Sequence, residues 1–107
     1  MGRFDQLEQL AADVAAKSVA SPDTSYTAQL IGAGVAKCAK KFGEEAVELA
    51  LASVSNDKLA TTAEAADVLY HFMVLLQAAG ISPDAVMAEL KRRQGVGGLS
   101  EKAARQT

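Results

Sequence analysis

The chain has 107 residues, half of them apolar, with a formal net charge of −2 and one cysteine. That length holds one domain, over 1–107, and the slightly acidic balance speaks against a nucleic-acid partner, which needs a basic face. Cys38 alone allows no intrachain disulfide, which fits a reduced, cytoplasmic setting.

Alanine is the commonest residue, and no segment alternates with period two, so the expected fold is all-α with four to five helices. Met1-Gly2-Arg3-Phe4-Asp5 leads into a charged amphipathic segment without an apolar h-region, so no signal peptide is expected. The first helix is predicted from Phe4 to Val19, within an N-terminal segment 1–20, on the stripe Phe4, Leu7, Leu10, Ala11 and Val14. Ser21-Pro22-Asp23 ends it, and Asp23, Thr24, Ser25 and Thr27 offer caps for the next. That second helix is predicted to reach Ser55, with an interruption near Gly32-Ala33-Gly34. Ser55-Asn56-Asp57 reads as a tight connection, and a third helix follows from Lys58 to Ala79, stopped by Gly80. The longest apolar stretch, Val68 to Ile81, is broken by His71 and Gln77 and is too short and too polar to span a bilayer. Ser82 and Pro83 start a fourth helix whose Ala85, Val86 and Leu90 are expected to face inward, with Lys91, Arg92 and Arg93 in its last turn. Residues 96–107 read as a flexible polar tail after Gly95.

The informative feature is a set of acids in apolar surroundings. Glu48 lies within Ala46-Val47-Glu48-Leu49-Ala50-Leu51-Ala52, which predicts burial on nearly every side. Glu64 and Asp67 lie within Ala63-Glu64-Ala65-Ala66-Asp67-Val68-Leu69. A buried carboxylate needs a proton, a cation or a metal. Glu44, Glu45 and Glu48 share one helix face by spacing, as do Glu64 and Asp67. If the second and third helices form an antiparallel hairpin about Asn56-Asp57, Glu48 lies eight residues before the turn and Glu64 seven after it. Glu45 and Asp67 are level in the same way, eleven before and ten after. Each pair then matches to within about 1.5 Å of helix rise. Oxygen donors without histidine or cysteine favour Mg²⁺, or Mn²⁺, over zinc. A plainer account makes these acids solvated surface groups, which suits Glu44 as well as any metal role does. A ferritin-like di-iron site would need Glu-x-x-His, and Leu51 and Asp67 stand where the histidines belong.

Lys37, Lys40 and Lys41 precede the acids by one to two turns. Pairing of Lys40 with Glu44 and Lys41 with Glu45 is one reading, in the weaker helical order; phosphate binding by Lys37 and Lys41 is the other. His71, four residues after Asp67, is placed to hydrogen-bond it, although a structural role is the commoner one on an apolar helix. Tyr70, Phe72 and Met73 read as core or interface, and Cys38 as a small buried hydrophobe. The apolar circumference from Ala46 to Val54 exceeds what one hairpin covers, which predicts a homodimer.

Glu44-Glu45-x-x-Glu48 followed by Glu64-x-x-Asp67 is similar to the metal-binding pattern of all-α nucleoside-triphosphate pyrophosphohydrolases. Ser25-Tyr26-Thr27-Ala28-x-Leu30, Gly34, Lys37, Lys41-x-Gly43, Leu69-Tyr70-His71, Gly80, Asp84-x-Val86 and Glu89-Leu90-x-x-Arg93 narrow the resemblance to the phosphoribosyl-ATP pyrophosphatase family. The resemblance spans Ser25 to Arg93 and departs at Gln29 and Ala33, where that family often carries basic residues. It implies hydrolysis of the α–β phosphate bond of phosphoribosyl-ATP, a step of histidine biosynthesis, giving phosphoribosyl-AMP and pyrophosphate. Also implied are Mg²⁺ on Glu44, Glu45, Glu48, Glu64 and Asp67, an attacking water of lowered pKa, and catalytic duty for Glu45, Glu48, Glu64 and Asp67, with Glu45 oriented on the water. Substrate contacts would come from Ser25, Thr27, Lys37, Lys41 and His71, in a helical-bundle homodimer. Two other functions fit the residues: a house-cleaning pyrophosphatase acting on free nucleoside triphosphates, and a non-catalytic helical interaction module without metal affinity.

Overall fold

A computed structural model of the chain describes residues 2–95, so the tail expected at 96–107 lies outside the described residues. All regular structure among the described residues is helical: α1 (Asp5–Lys17), α2 (Tyr26–Gly32), α3 (Val35–Val54), α4 (Lys58–Ala79) and α5 (Pro83–Gln94). Helix α1 carries Asp5 and Glu8 in its first turn and Lys17 in its last, each sign matched to the helix dipole. It stops two residues short of Val19, where the Ser18 hydroxyl turns back to the Ala15 carbonyl at 2.6 Å.

The expected interruption after α2 is a full break. Gly34 adopts φ 101° and ψ 168°, a conformation that a Cβ disfavours, and so separates α2 from α3. Asn56, at φ 60°, and Asp57, whose Oδ1 accepts from Ala60 N at 3.0 Å, make the tight connection into α4. Gly80 closes α4 in the left-handed region, with Ile81 N donating to Leu76 O at 2.9 Å. Ser82 then caps α5 by accepting from Asp84 N at 3.1 Å, with Pro83 in the first turn.

Helices α3 and α4 form an antiparallel hairpin, and α1 and α2 both pack against α4. The core contains Val14, Leu30, Cys38, Met73, Val74 and Leu76, with Leu7, Leu10, Phe72 and Val86 packed around it. On the hairpin these residues fall toward the end of α4 and the start of α3, where α1 and α2 add Val14 and Leu30. The other half of the hairpin, toward Asn56, is a two-helix arm on which Val47, Leu51, Val54 and Leu59 are exposed. Helix α5 buries no residue: Val86 packs against the core as expected, whereas Ala85 and Leu90 face solvent. Within its last turns Glu89 accepts from Arg92 and Arg93.

By length and composition α4 is apolar enough to cross a membrane. Its apolar residues serve a central helix that three others contact, and it carries Glu64, Asp67 and His71.

Candidate metal centre

The hairpin register brings Glu48 and Glu64 level, as the counting from Asn56-Asp57 predicts. Carboxylate oxygens of Glu45, Glu48 and Glu64 all lie within 4.8 Å of one another. Glu45 and Glu48 come from one face of α3, and Glu64 reaches across from α4. Three carboxylates this close repel unless a proton or a cation is shared among them. Glu64 bears most of that strain: its Oε2 is buried and has no hydrogen-bond partner. Burial pushes its carboxyl above the usual carboxylate range, and Glu48, Glu45 and Asp67 push it further. A proton held between Glu64 and Glu48 would turn their repulsion into a hydrogen bond.

A divalent cation meets the same need. The donors are hard oxygens converging from two helices, and one buried oxygen lacks any partner. Such a set suits Mg²⁺ or Mn²⁺.

The other acids stand apart. Glu48 is exposed, not buried as its apolar flanks predict, because the two-helix arm leaves that part of α3 uncovered. Asp67 is also exposed and lies outside the trio, yet three residues past Glu64 it is close enough for its charge to act on the Glu64 carboxyl. Glu44 is exposed too, with Lys41 Nζ 3.9 Å away. The lysine therefore reaches its neighbour at i+3, not Glu45 at i+4 as the ion-pairing reading has it.

Lys37, Lys41, Glu45 and Glu48 recur at helical spacing along one face of α3, so two ammonium groups continue the line of acids. Lys37 is exposed and Lys41 half-buried. On α4, His71 follows Glu64 by seven residues and shares its face. The imidazole is 6% exposed, and its Nδ1 is buried without a partner. No hydrogen bond joins this nitrogen to Asp67, which is exposed.

The two hydroxyls expected at substrate have other duties here. Ser25 caps α2, its Oγ accepting from Ala28 N at 3.1 Å. Thr27 is 4% exposed, and its Oγ1 lies 2.6 Å from the Tyr70 hydroxyl across 43 residues of chain. Thr27 is enclosed between α2 and α4, which keeps it from a phosphate. Sequence reasoning missed this partner. The only signal was a pair of hydroxyl-bearing residues at positions that otherwise read as apolar.

Gln29, where basic residues are common in the resembling family, donates its side-chain amide to Pro22 O at 2.8 Å. A cavity of about 720 Å³ lies away from the trio, between α1, α4 and α5, and is lined by Phe4, Leu7, Val14, Met73 and Met87 together with Arg3, Asp5, Glu8 and Asp84. Its lining is mainly apolar and its three acids converge on no shared point, so the carboxylate groove is the site equipped to hold a cation.

Residues 7–94 match the model of the phosphoribosyl-ATP pyrophosphohydrolase family. The chain is 59% identical over 99 residues to a phosphoribosyl-ATP pyrophosphatase of Methylobacterium radiotolerans, covering 92% of both chains. It is 54% identical to that of Rhodobacter capsulatus, covering 92% of this chain and 96% of the relative. The identity to that of Dinoroseobacter shibae is 52%, covering 92% and 97%.

Proposed function

The chain belongs to the phosphoribosyl-ATP pyrophosphohydrolase family, and from that premise we propose that the groove between α3 and α4 is where it hydrolyses the α–β phosphate bond of phosphoribosyl-ATP. The products are phosphoribosyl-AMP and pyrophosphate, and the step belongs to histidine biosynthesis. The observation that carries the assignment to this groove is the convergence of Glu45, Glu48 and Glu64 across it, with one buried oxygen of Glu64 left without a partner.

Glu45, Glu48 and Glu64 would hold the cation, with Asp67 and Glu44 beside them adding negative charge. When bound, Mg²⁺ supplies positive charge against the polyphosphate and acidifies water. Half-buried Glu45 would orient an attacking water and accept its proton. Lys41 and Lys37, one and two turns along the same face, bind the phosphates, and the Ser25 hydroxyl is free to donate to the ribose-phosphate end. His71 forms the floor of the groove beyond Glu64. The face thus runs from acids to ammonium groups, which would orient a polyphosphate along it.

The active form is a homodimer working in the cytoplasm. Support comes from α3, where Leu51 is 60% and Val54 82% exposed in the single chain. An apolar stripe of this kind, beside the acids, is the usual mark of a surface that another chain covers. A second copy there would also shield Glu48 from water.

A substrate panel tests the reading. Phosphoribosyl-ATP should be turned over well above deoxynucleoside triphosphates. Equal or greater activity on the free triphosphates would assign the groove to house-cleaning hydrolysis instead.

A further inference from the structure

Helix α2 has only seven residues, about 10 Å of helix, and its seat is set from outside. Ala28 and Leu30 bury apolar side chains, contacts that hold the helix down without fixing its register. Register comes from directional bonds. Cys38 Sγ lies 3.2 Å from Leu30 O and ties α2 to α3. The hydroxyl pair of Thr27 and Tyr70, at 2.6 Å, ties it to α4.

Both ends of that second tie lead to the groove. From α2 the chain turns at Gly34 straight into the turns of α3 that carry Lys37 and Lys41. From Tyr70 the contact continues to His71, whose ring meets the phenol edge-on, with centroids 5.0 Å apart and planes at 78°. His71 in turn shares the α4 face of Glu64.

We infer that Thr27 and Tyr70 are positioning residues for the hydrolysis: their hydroxyl bond fixes how α2 seats on α4, and through it the Lys37 and His71 end of the substrate groove. The inference rests on the functional reading above. The pair lies outside the carboxylate trio, so it governs how substrate is held and leaves the cation site alone.

The test uses Thr27→Val, which keeps the shape and removes the hydroxyl, Tyr70→Phe, Thr27→Ser and the double variant Thr27→Val/Tyr70→Phe. Pyrophosphate release from phosphoribosyl-ATP is measured at saturating Mg²⁺, below the melting point of every variant. Loss of either hydroxyl should raise KM about three- to tenfold, the worth of one hydrogen bond. The change in kcat should be smaller, and the Mg²⁺-induced rise in Tm should match that of the wild type. Thr27→Ser should restore KM. The double variant should be little worse than the worse single, as expected for two residues acting through one bond. If Thr27→Val does not fold, Tyr70→Phe carries the test. A wild-type KM in both hydroxyl-free variants, with only Tm lowered, reduces the pair to a structural tie and overturns the inference. Wild-type protein that does not turn over phosphoribosyl-ATP overturns the functional reading as well. Normal wild-type turnover with unmoved variant KM values overturns this inference alone.

Discussion

Glu48 and Glu64 meet across the hairpin from positions eight residues before and seven after its turn, their carboxylate oxygens within 4.8 Å. No helix gains from holding two like charges so close, and Glu45 adds a third. The fold therefore carries a local cost that a divalent cation would offset, and this shapes the expected behaviour of variants.

Replacing Glu64 or Glu48 with Gln removes one charge and keeps the shape. Without metal, repulsion falls and Tm should hold or rise. With Mg²⁺ the order should reverse, since only a protein that binds the ion gains the mass-action term, about 2.7 kcal/mol at about a hundred times Kd. Thermal melts with and without Mg²⁺ check this. Strongly destabilised metal-free variants beside a wild type indifferent to Mg²⁺ would make the acids structural partners instead.

Glu64 also sets a pH dependence. Its folded-state pKa is raised, so the metal-free protein binds a proton there more readily than the unfolded chain does. Its contribution to metal-free stability is fully present below the ordinary carboxylate range and is lost as pH rises through the raised value. Metal binding has the opposite sense, because the cation displaces that proton. Calorimetric titration should show Mg²⁺ affinity falling as pH drops through the raised value, with proton release on binding. The Glu64→Gln variant should lose that proton release along with most of its affinity. An affinity flat with pH would remove Glu64 from the ligand set.

Gly34 should tolerate no side chain. A Cβ there would meet nothing within 4 Å, so the cost of Gly34→Ala is conformational, from φ 101°. The expected loss is about 1–3 kcal/mol, read as a lower midpoint in urea with unchanged slope. An unchanged midpoint would mean that the chain bends there without effort.

Assembly is open to a single substitution. Leu51→Glu places a charge on the exposed apolar stripe of α3, far from the core residues. Light scattering should give a dimer mass for the wild type and a monomer mass for the variant, with helical circular dichroism kept in both. A wild-type monomer at micromolar concentration would refute the dimer.

Much of this architecture is legible in the sequence because local signals agree. Gly80 with Ser82-Pro83 fixes the end of α4, and Asn56-Asp57 fixes the hairpin turn; with the turn known, helix rise alone makes Glu48 level with Glu64. What was not legible depends on which faces are covered. The apolar run around Glu48 looks buried, yet only one neighbouring helix lies against it in the single chain. Asp67 shares a face with Glu64 by spacing, yet it is exposed and lies outside the trio. The link between Thr27 and Tyr70 spans 43 residues, and no local pattern announces such a pair.

The central claim, that a cation held by Glu45, Glu48 and Glu64 supports cleavage of phosphoribosyl-ATP, is tested most directly by pyrophosphate release from that substrate, with Mg²⁺ and then with excess EDTA. Release should be steady with Mg²⁺, absent in EDTA, and restored when Mg²⁺ is returned. Undiminished release in EDTA would contradict the claim.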